Sequence, residues 1–170
     1  MGDIASDADM ARQNIYGYVA SREDLVDAVL LARIKEIAED LKPLARKGTS
    51  FVDAFVETSA AAIERARSDH ELMHIFNTGP SDRFQDVVTG PYPEIHDIVS
   101  DLLAPILDHG RETNMLRTDK TVDELIDWIR VVYLFLITQP NPVAGNDRDV
   151  VADFLLPSIM FSRNDKPPTD

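Results

Sequence analysis

A chain of 170 residues with 44% hydrophobic side chains is long enough for one domain, or one domain and a small appendage, built on a real core. It has no cysteine, which excludes disulfides and thiolate metal sites and suits a reducing compartment. The net charge of −13 opposes phosphate but is uneven: seven Lys/Arg and nine Asp/Glu precede Thr49, against ten and twenty-one from there on, so a near-neutral N-terminal reader on an acidic body is compatible with it.

The dominant period along the chain is helical, with no alternating strand pattern and no internal repeat. Ser21-Arg22-Glu23-Asp24 places a hydroxyl at an N-cap and a carboxylate three residues on. The long helix it opens carries Leu25, Ala28, Val29, Ala32, Ile34, Ile37, Ala38 and Leu41 as its apolar stripe and is expected to end at Pro43 and Gly48. Ser50 to Asp53 repeats the cap and opens a helix with Val52, Phe55, Val56, Ala60 and Ile63 on its apolar side. Asp69 caps a short helix through Phe76. Two glycines and three prolines between Asn77 and Pro93 predict loops around a short helical turn at Arg83 to Val88. A helix follows from Pro93 to His109, with Gly110 as its stop.

Thr121-Val122-Asp123-Glu124 is a further capping box. The helix behind it, up to Pro140, is apolar on almost every side, from Leu125 to Ile137, and such a helix must be covered all round. The last helix, Asp147 to Phe161, is similar, with Val150, Val151, Phe154, Leu155 and Ile159. Two consecutive helices with more apolar surface than one small core needs imply a partner. A homodimer through residues 121–139 and 147–161 is therefore expected. The tail from Ser162 is polar and rich in proline. The acidic start Met1 to Asp7 lacks the pattern of a signal peptide. The longest apolar run, Val131 to Ile137, falls far short of the roughly 20 residues that span a bilayer. A soluble, cytoplasmic protein is expected.

The stretch from Asp3 to Leu25 resembles the helix-turn-helix of the TetR (tetracycline-repressor) family. The family's recognition helix ends in an aliphatic-Tyr-x-(Tyr/His)-Phe run followed by a Ser-Lys-Glu-x-Leu cap. Here those pieces read Ile15-Tyr16-Gly17-Tyr18-Val19 and Ser21-Arg22-Glu23-Asp24-Leu25. The resemblance covers about 25 residues in motif and the whole chain in layout. It implies an all-α, TetR-like helical bundle, with a partial helix-turn-helix at 1–22, a ligand-binding and dimerisation domain at 23–163 and a disordered tail at 164–170. The implied function is a transcriptional regulator, a repressor rather than an enzyme. A small-molecule effector in its helical body would control binding to operator DNA.

Met10, Ile15 and Val19 can pack inward beneath such a reading head. Arg12, Gln13 and Asn14 then stand at the start of the recognition helix, where amides suit adenine edges and guanidinium suits guanine or phosphate. Tyr16, Tyr18 and Arg22 suit phosphate oxygens. The family carries a further helix before the position of Asp3, places a larger residue at Gly17 and an aromatic at Val19. Operator binding by these residues without that helix is accordingly expected to be weak.

Two other readings use other residues. His70-Glu71-Leu72-Met73-His74 has the H-E-x-x-H spacing of zinc peptidases, in which two histidines one turn apart share a metal and the glutamate activates water. His96 and His109 match no third-ligand spacing, and no strand is expected to hold a peptide. The sequence therefore predicts no catalytic residues, no metal and no cofactor. The other alternative is a helical dimeric interaction or ligand-binding module without a DNA role. For the effector pocket, the layout points to Phe55, Met73, Phe76 and Ile98 as apolar walls, His74, Tyr92 and His96 as polar anchors, and Trp128 or Tyr133 as closure.

Overall fold

The computed structural model describes residues 21–47, 50–78, 93–139 and 145–160. Its regular elements are all helices: α1 (Arg22–Lys47), α2 (Phe51–Ser68), α3 (His70–Thr78), α4 (Pro93–Glu112), α5 (Val122–Thr138), α6 (Asp147–Val150) and α7 (Leu156–Ile159), with a π-helical turn over Val151–Leu155 joining the last two into one rod. The protein is all-α. Among the described residues, no helix is long and apolar enough to cross a membrane. The helical turn expected at Arg83 to Val88, the reading head up to Ala20 and the tail lie outside the described residues.

Each helix start marked in the sequence is capped as its side chains dictate. Ser21 Oγ accepts from Asp24 N–H at 3.0 Å, Ser50 Oγ from Asp53 N–H at 3.1 Å, and Asp69 Oδ1 from Leu72 N–H at 2.8 Å. At α5 the box is reciprocal: Glu124 N–H donates to Thr121 Oγ1 while Thr121 N–H donates back to Glu124 Oε2. Caps of this kind are worth about 1 kcal/mol each because they satisfy amides that the helix itself cannot.

The stops were harder to place. α1 runs through Pro43 to Lys47, and α4 likewise contains Pro105. Both prolines lie on exposed faces. There the carbonyls that lose their amide partner can turn to water, so the ring bends the helix without ending it. Gly110 is not a stop either, because α4 continues to Glu112. The reversal comes at Asn114, which has a φ of +54°. Beyond it, Met115 N–H returns to Gly110 O at 2.8 Å. Asparagine tolerates this left-handed conformation and does here what glycine commonly does. Gly110 serves packing instead: a Cβ at this buried position would stand 2.7 Å from the Phe51 ring.

α2 is the middle of the molecule and touches every other helix. Only a stripe through Asp53, Glu57, Glu64 and Ser68, with Arg65 beside it, reaches solvent. Ala54, Thr58, Ser59, Ala62 and Ala66 are buried, and their small side chains let neighbouring helices approach closely from several directions. This burial is wider than the single face read from the sequence; Val52 and Ala60, placed on that face, are only half-buried. On α1 the expected stripe shifts along the helix. Leu30, Ala38, Leu41 and Ala45 are buried, while Ala28, Val29 and Ala32 are exposed.

Most of the apolar surplus of the two C-terminal helices is absorbed within the chain. α5 buries Leu125, Ile126, Ile129, Tyr133, Leu134 and Leu136 against α2 and α4, and the final rod buries Val150, Val151, Leu155, Leu156 and Ile159, largely against α2. α5 is not covered all round: Trp128 (47%) and Phe135 (48%) stay exposed, as does Phe154 (60%) on the rod. The π-turn has a local cause in Pro157. An α-helical register would drive its ring into the Asp153 carbonyl, and the wider turn, with Leu156 N–H bonded to Val151 O, avoids this.

The Gly110–Phe51 contact makes a specific prediction. Gly110→Ala should lower stability by about 1–3 kcal/mol through overpacking, despite alanine's better helix propensity. Phe51→Leu in the same chain should recover part of the loss, because it withdraws the atoms that the new methyl meets. Urea melts of both variants check this; a stabilised Gly110→Ala would show that Phe51 yields freely.

Candidate functional site

α2 presents alanine, at positions 62 and 66, where α1, α4 and α5 converge, and the space these methyls leave is not filled by the larger residues around it. The result is a cavity of about 90 Å³. Among the described residues its walls are Ile34, Ile37 and Ala38 from α1, Ala62 and Ala66 from α2, Leu72 and Phe76 from α3, Ile95, Ile98, Val99 and Leu102 from α4, and Arg130, Tyr133, Leu134 and Ile137 from α5. Thirteen of these fifteen side chains are purely apolar, and the surface the cavity presents is almost wholly apolar, so Arg130 and Tyr133 line it mainly through carbon.

Tyr133 is wholly buried in its surroundings, and its hydroxyl donates to Ser59 Oγ at 2.6 Å across the α2–α5 contact. Burial pushes its phenol pKa far up, and the bond to Ser59 offsets only part of the rise, so the group is a neutral donor at any working pH. Arg130, with its side chain 14% exposed, is the one charged group among the described cavity walls. Its Nη2 lies 3.4 Å from Asp127 Oδ1, the oxygen that also receives His96 Nδ1–H at 2.9 Å. His96 Nε2 faces Asp123 at 3.8 Å. A chain of polar contacts, Asp123–His96–Asp127–Arg130, therefore runs from the surface of α4 and α5 to the cavity wall.

α3 is set against the cavity by Asp69. One oxygen caps the helix, and the other binds Arg33 of α1 through both Nε, at 3.0 Å, and Nη2. Burial alone would raise the Asp69 pKa. The bonds from Arg33 and the Leu72 amide outweigh it and hold the carboxyl below its ordinary range. Leu72 and Phe76, one turn apart, are thereby turned toward the cavity.

Of the residues expected to form a pocket, Phe76 and Ile98 line this one. Phe55 does not; it is fully buried in the core beside Phe51, with ring centroids 6.1 Å apart. Met73 is half-buried off the cavity, and His74 is exposed. His96 is tied to Asp127 outside the lining. Trp128 points away, donating from Nε1 to Ser158 Oγ at 2.8 Å, so Tyr133 and not Trp128 closes the cavity from α5. These displacements share a cause: the expected set was read from helix order, whereas on α5 residues 128 and 133 sit on different sides. Tyr92 lies outside the described residues, as do Arg12, Gln13, Asn14, Tyr16 and Tyr18. Arg22 is placed only as the first residue of α1.

Sequence reasoning missed Arg130, although a signal existed: it is the sole charge between Trp128 and Ile137 in the most apolar helix of the chain. It also missed Ala62 and Ala66, which make room by being small. In the H-E-x-x-H segment, His70 and His74 are both exposed, with rings stacked 6.5 Å apart, and Glu71 turns toward Arg33 at 3.5 Å. Among the described residues no group of three or more His, Cys, Asp or Glu is arranged to hold a metal ion.

Two neighbours on α2 test the chemistry beside the cavity. Thr58 and Ser59 are equally buried, yet Ser59 takes the Tyr133 hydroxyl while Thr58 Oγ1 has no hydrogen-bond partner. Thr58→Val should therefore raise stability by about 1 kcal/mol, and Ser59→Ala should lower it by a similar amount. Ser59→Ala with Tyr133→Phe should cost less than the sum of the two singles. Denaturant titration of the four proteins decides it, and additive losses would mean that the Tyr133–Ser59 bond contributes nothing. No known protein family, no curated protein and no solved structure matches this chain.

Proposed function

We propose that the protein is a TetR-like transcriptional regulator, a repressor rather than an enzyme, acting in the cytoplasm as a homodimer whose operator binding is controlled by a small molecule. The observation that carries this reading is the cavity at the junction of α1 to α5, whose described walls are almost wholly apolar. A cavity of this kind inside a helical body suits a sensor. A well-packed interaction module has no use for one, since unfilled space costs stability.

The outer side of α5 supports the dimer. Trp128, Val131 and Phe135 follow at spacings of three and four, so they share one face, and that face is exposed or half-buried. Phe154 on the C-terminal rod is the other large apolar side chain left to solvent there. A second copy covering residues 121–139 and 147–161 would bury these groups in a four-helix interface. DNA contacts are assigned to Arg12, Gln13, Asn14, Tyr16, Tyr18 and Arg22 on the motif alone.

The dimer and the DNA contacts are tested together. Sedimentation should give a dimer at micromolar concentration, and Phe135→Glu with Phe154→Glu should give a folded monomer, because two charges per chain would be buried without partners. In mobility-shift assays on DNA flanking the gene, with a form extended by the family's preceding helix, Arg22→Ala should weaken binding to all sequences alike. Gln13→Ala should relax preference at one base position by about 1–3 kcal/mol. A monomeric parent chain removes the dimer; an extended form that ignores DNA at low salt favours an interaction or ligand-binding module instead.

The peptidase alternative has its own test. Peptidase activity and a tightly held zinc should both be absent. A stoichiometric zinc, with activity abolished by Glu71→Gln, would reverse the assignment.

A further inference from the structure

We infer that the cavity takes an uncharged aliphatic hydrocarbon of about three or four carbons, a molecule with no polar group for the protein to satisfy. This rests on the reading of the cavity as an effector site and names the ligand class.

The chemistry of the wall sets the class. Thirteen of the fifteen described lining residues are purely apolar, and the surface they present is almost wholly apolar. Tyr133 spends its hydroxyl hydrogen on Ser59 at 2.6 Å, so its ring meets the cavity as hydrocarbon. Arg130 directs Nη2 to Asp127, which is not a lining residue, and meets the cavity mainly through its stem.

Each kind of ligand meets this wall differently. A hydroxyl, amine or carboxylate would leave its hydrogen-bonding water behind and find no replacement, a cost that grows steeply with charge. Water is a poor occupant for the same reason, since it needs about two to four polar partners. A hydrocarbon gives up nothing polar and gains contact with carbon on every described side, from Ile34 and Ala38 on α1 to Leu134 and Ile137 on α5. Arginine holds its charge at any working pH, and burial pushes the Tyr133 phenol far up, so the preference is indifferent to pH.

Volume sets the size. A dry apolar cavity of about 150 Å³ holds a benzene molecule. The space here, about 90 Å³, takes proportionally fewer atoms, about three or four carbons. Aromatic rings and longer alkyl chains are thereby excluded. A leucine at position 62 would add as many carbons as the smallest ligand of this class, which makes that side chain a direct competitor for the space.

Methyl-resolved NMR of the 170-residue chain, titrated with propane, 1-propanol, propanoate and toluene at equal concentrations below the solubility of propane, tests the inference. Propane should give saturable shifts at the Ala62, Val99 and Leu134 methyls. It should bind at least about tenfold more tightly than propanol, with propanoate and toluene weaker still. Ala62→Leu should abolish the propane shifts at Val99 and Leu134, with thermal melts confirming that it folds. If it does not fold, Ala66→Val, which fills the same space from one turn on, should weaken propane instead. Propane shifts that survive both substitutions overturn the site. Propanol or propanoate binding as tightly as propane overturns the hydrocarbon assignment, and toluene binding as tightly overturns the size; in either case the effector-site reading stands. Shifts from none of the four probes remove that reading together with the inference.

Discussion

The fold depends on one helix being thin. α2 contacts every other described helix, so its side chains set how closely six neighbouring elements can approach. Residues of ordinary bulk at Ala54, Ser59, Ala62 and Ala66 would push α1, α4 and α5 outward and open the core. The volume is returned elsewhere by Phe51, Phe55 and Ile63, all fully buried on the same helix. Phe51 in turn requires a neighbour without a side chain, which Gly110 supplies. Small and large residues are thus matched across helices rather than averaged along them, as close packing requires. The cavity is the place where the matching stops: Ala62 and Ala66 are small, and nothing opposite is large enough to fill the space.

A chain this acidic still places its arginines at the junctions that hold the bundle. Arg33 joins α1 to Asp69 at the start of α3. Arg67, near the end of α2, donates to both oxygens of Asp147 at 2.8 and 3.0 Å and to the Leu136 carbonyl at 2.6 Å, tying the end of α5 to the start of the C-terminal rod. Arg148 reaches back to Glu57 of α2 at 2.7 Å, and Arg117 binds the Ser158 carbonyl at 2.9 Å beside the Leu116–Met160 bridge. The common feature is a planar donor meeting carboxylates and, at Leu136 and Ser158, carbonyls near helix ends, where the helix dipole concentrates negative potential. These partly buried pairs fix orientation more than they add stability, since much of the Coulomb gain repays desolvation.

How much of this was legible in sequence depends on whether the signal was local. Helix starts were, because a cap is formed by residues three apart: Ser21, Ser50, Asp69 and Thr121 each do what their neighbours imply. Helix ends were less so. Pro43 and Gly110 read as stops by their own preferences, but whether such a residue ends a helix depends on what surrounds it. Pro43 faces water and Gly110 faces Phe51, and neither fact is written nearby in the chain. The cavity was least legible, because an absence of atoms is made jointly by five helices. Phe76 and Ile98 were found since any inward apolar residue near the junction stands a good chance. Trp128 was misplaced because a helix apolar on most sides gives no phase by which to tell its inner face from its outer one.

α5 is that ambiguous helix, and its two sides make opposite demands. Inward, Arg130, Tyr133, Leu134 and Ile137 bound the cavity; outward, Trp128, Val131 and Phe135 meet solvent. The helix is tied to α2 near its C-terminal end by Arg67 at the Leu136 carbonyl and through its middle by the Tyr133–Ser59 bond. Arg130 pairs within the helix with Asp127, an exposed aspartate that also holds His96 of α4. A ligand seated in the cavity would change the packing of Tyr133, Leu134 and Ile137, and with it the contact between α4 and α5. The backbone that carries Arg130 also carries Val131, so a shift that relaxes one is passed to the other without any intervening chain of contacts. Under the proposed reading, coupling between effector and dimer would need only that α5 have two seats against α4 differing by a few kcal/mol, which differential contacts in the cavity can bias. The same arrangement limits the size of the effect: with its middle and C-terminal end tied to α2, the motion open to α5 is a small roll or slide, the kind of displacement that an interface of interdigitated side chains registers as a change of packing.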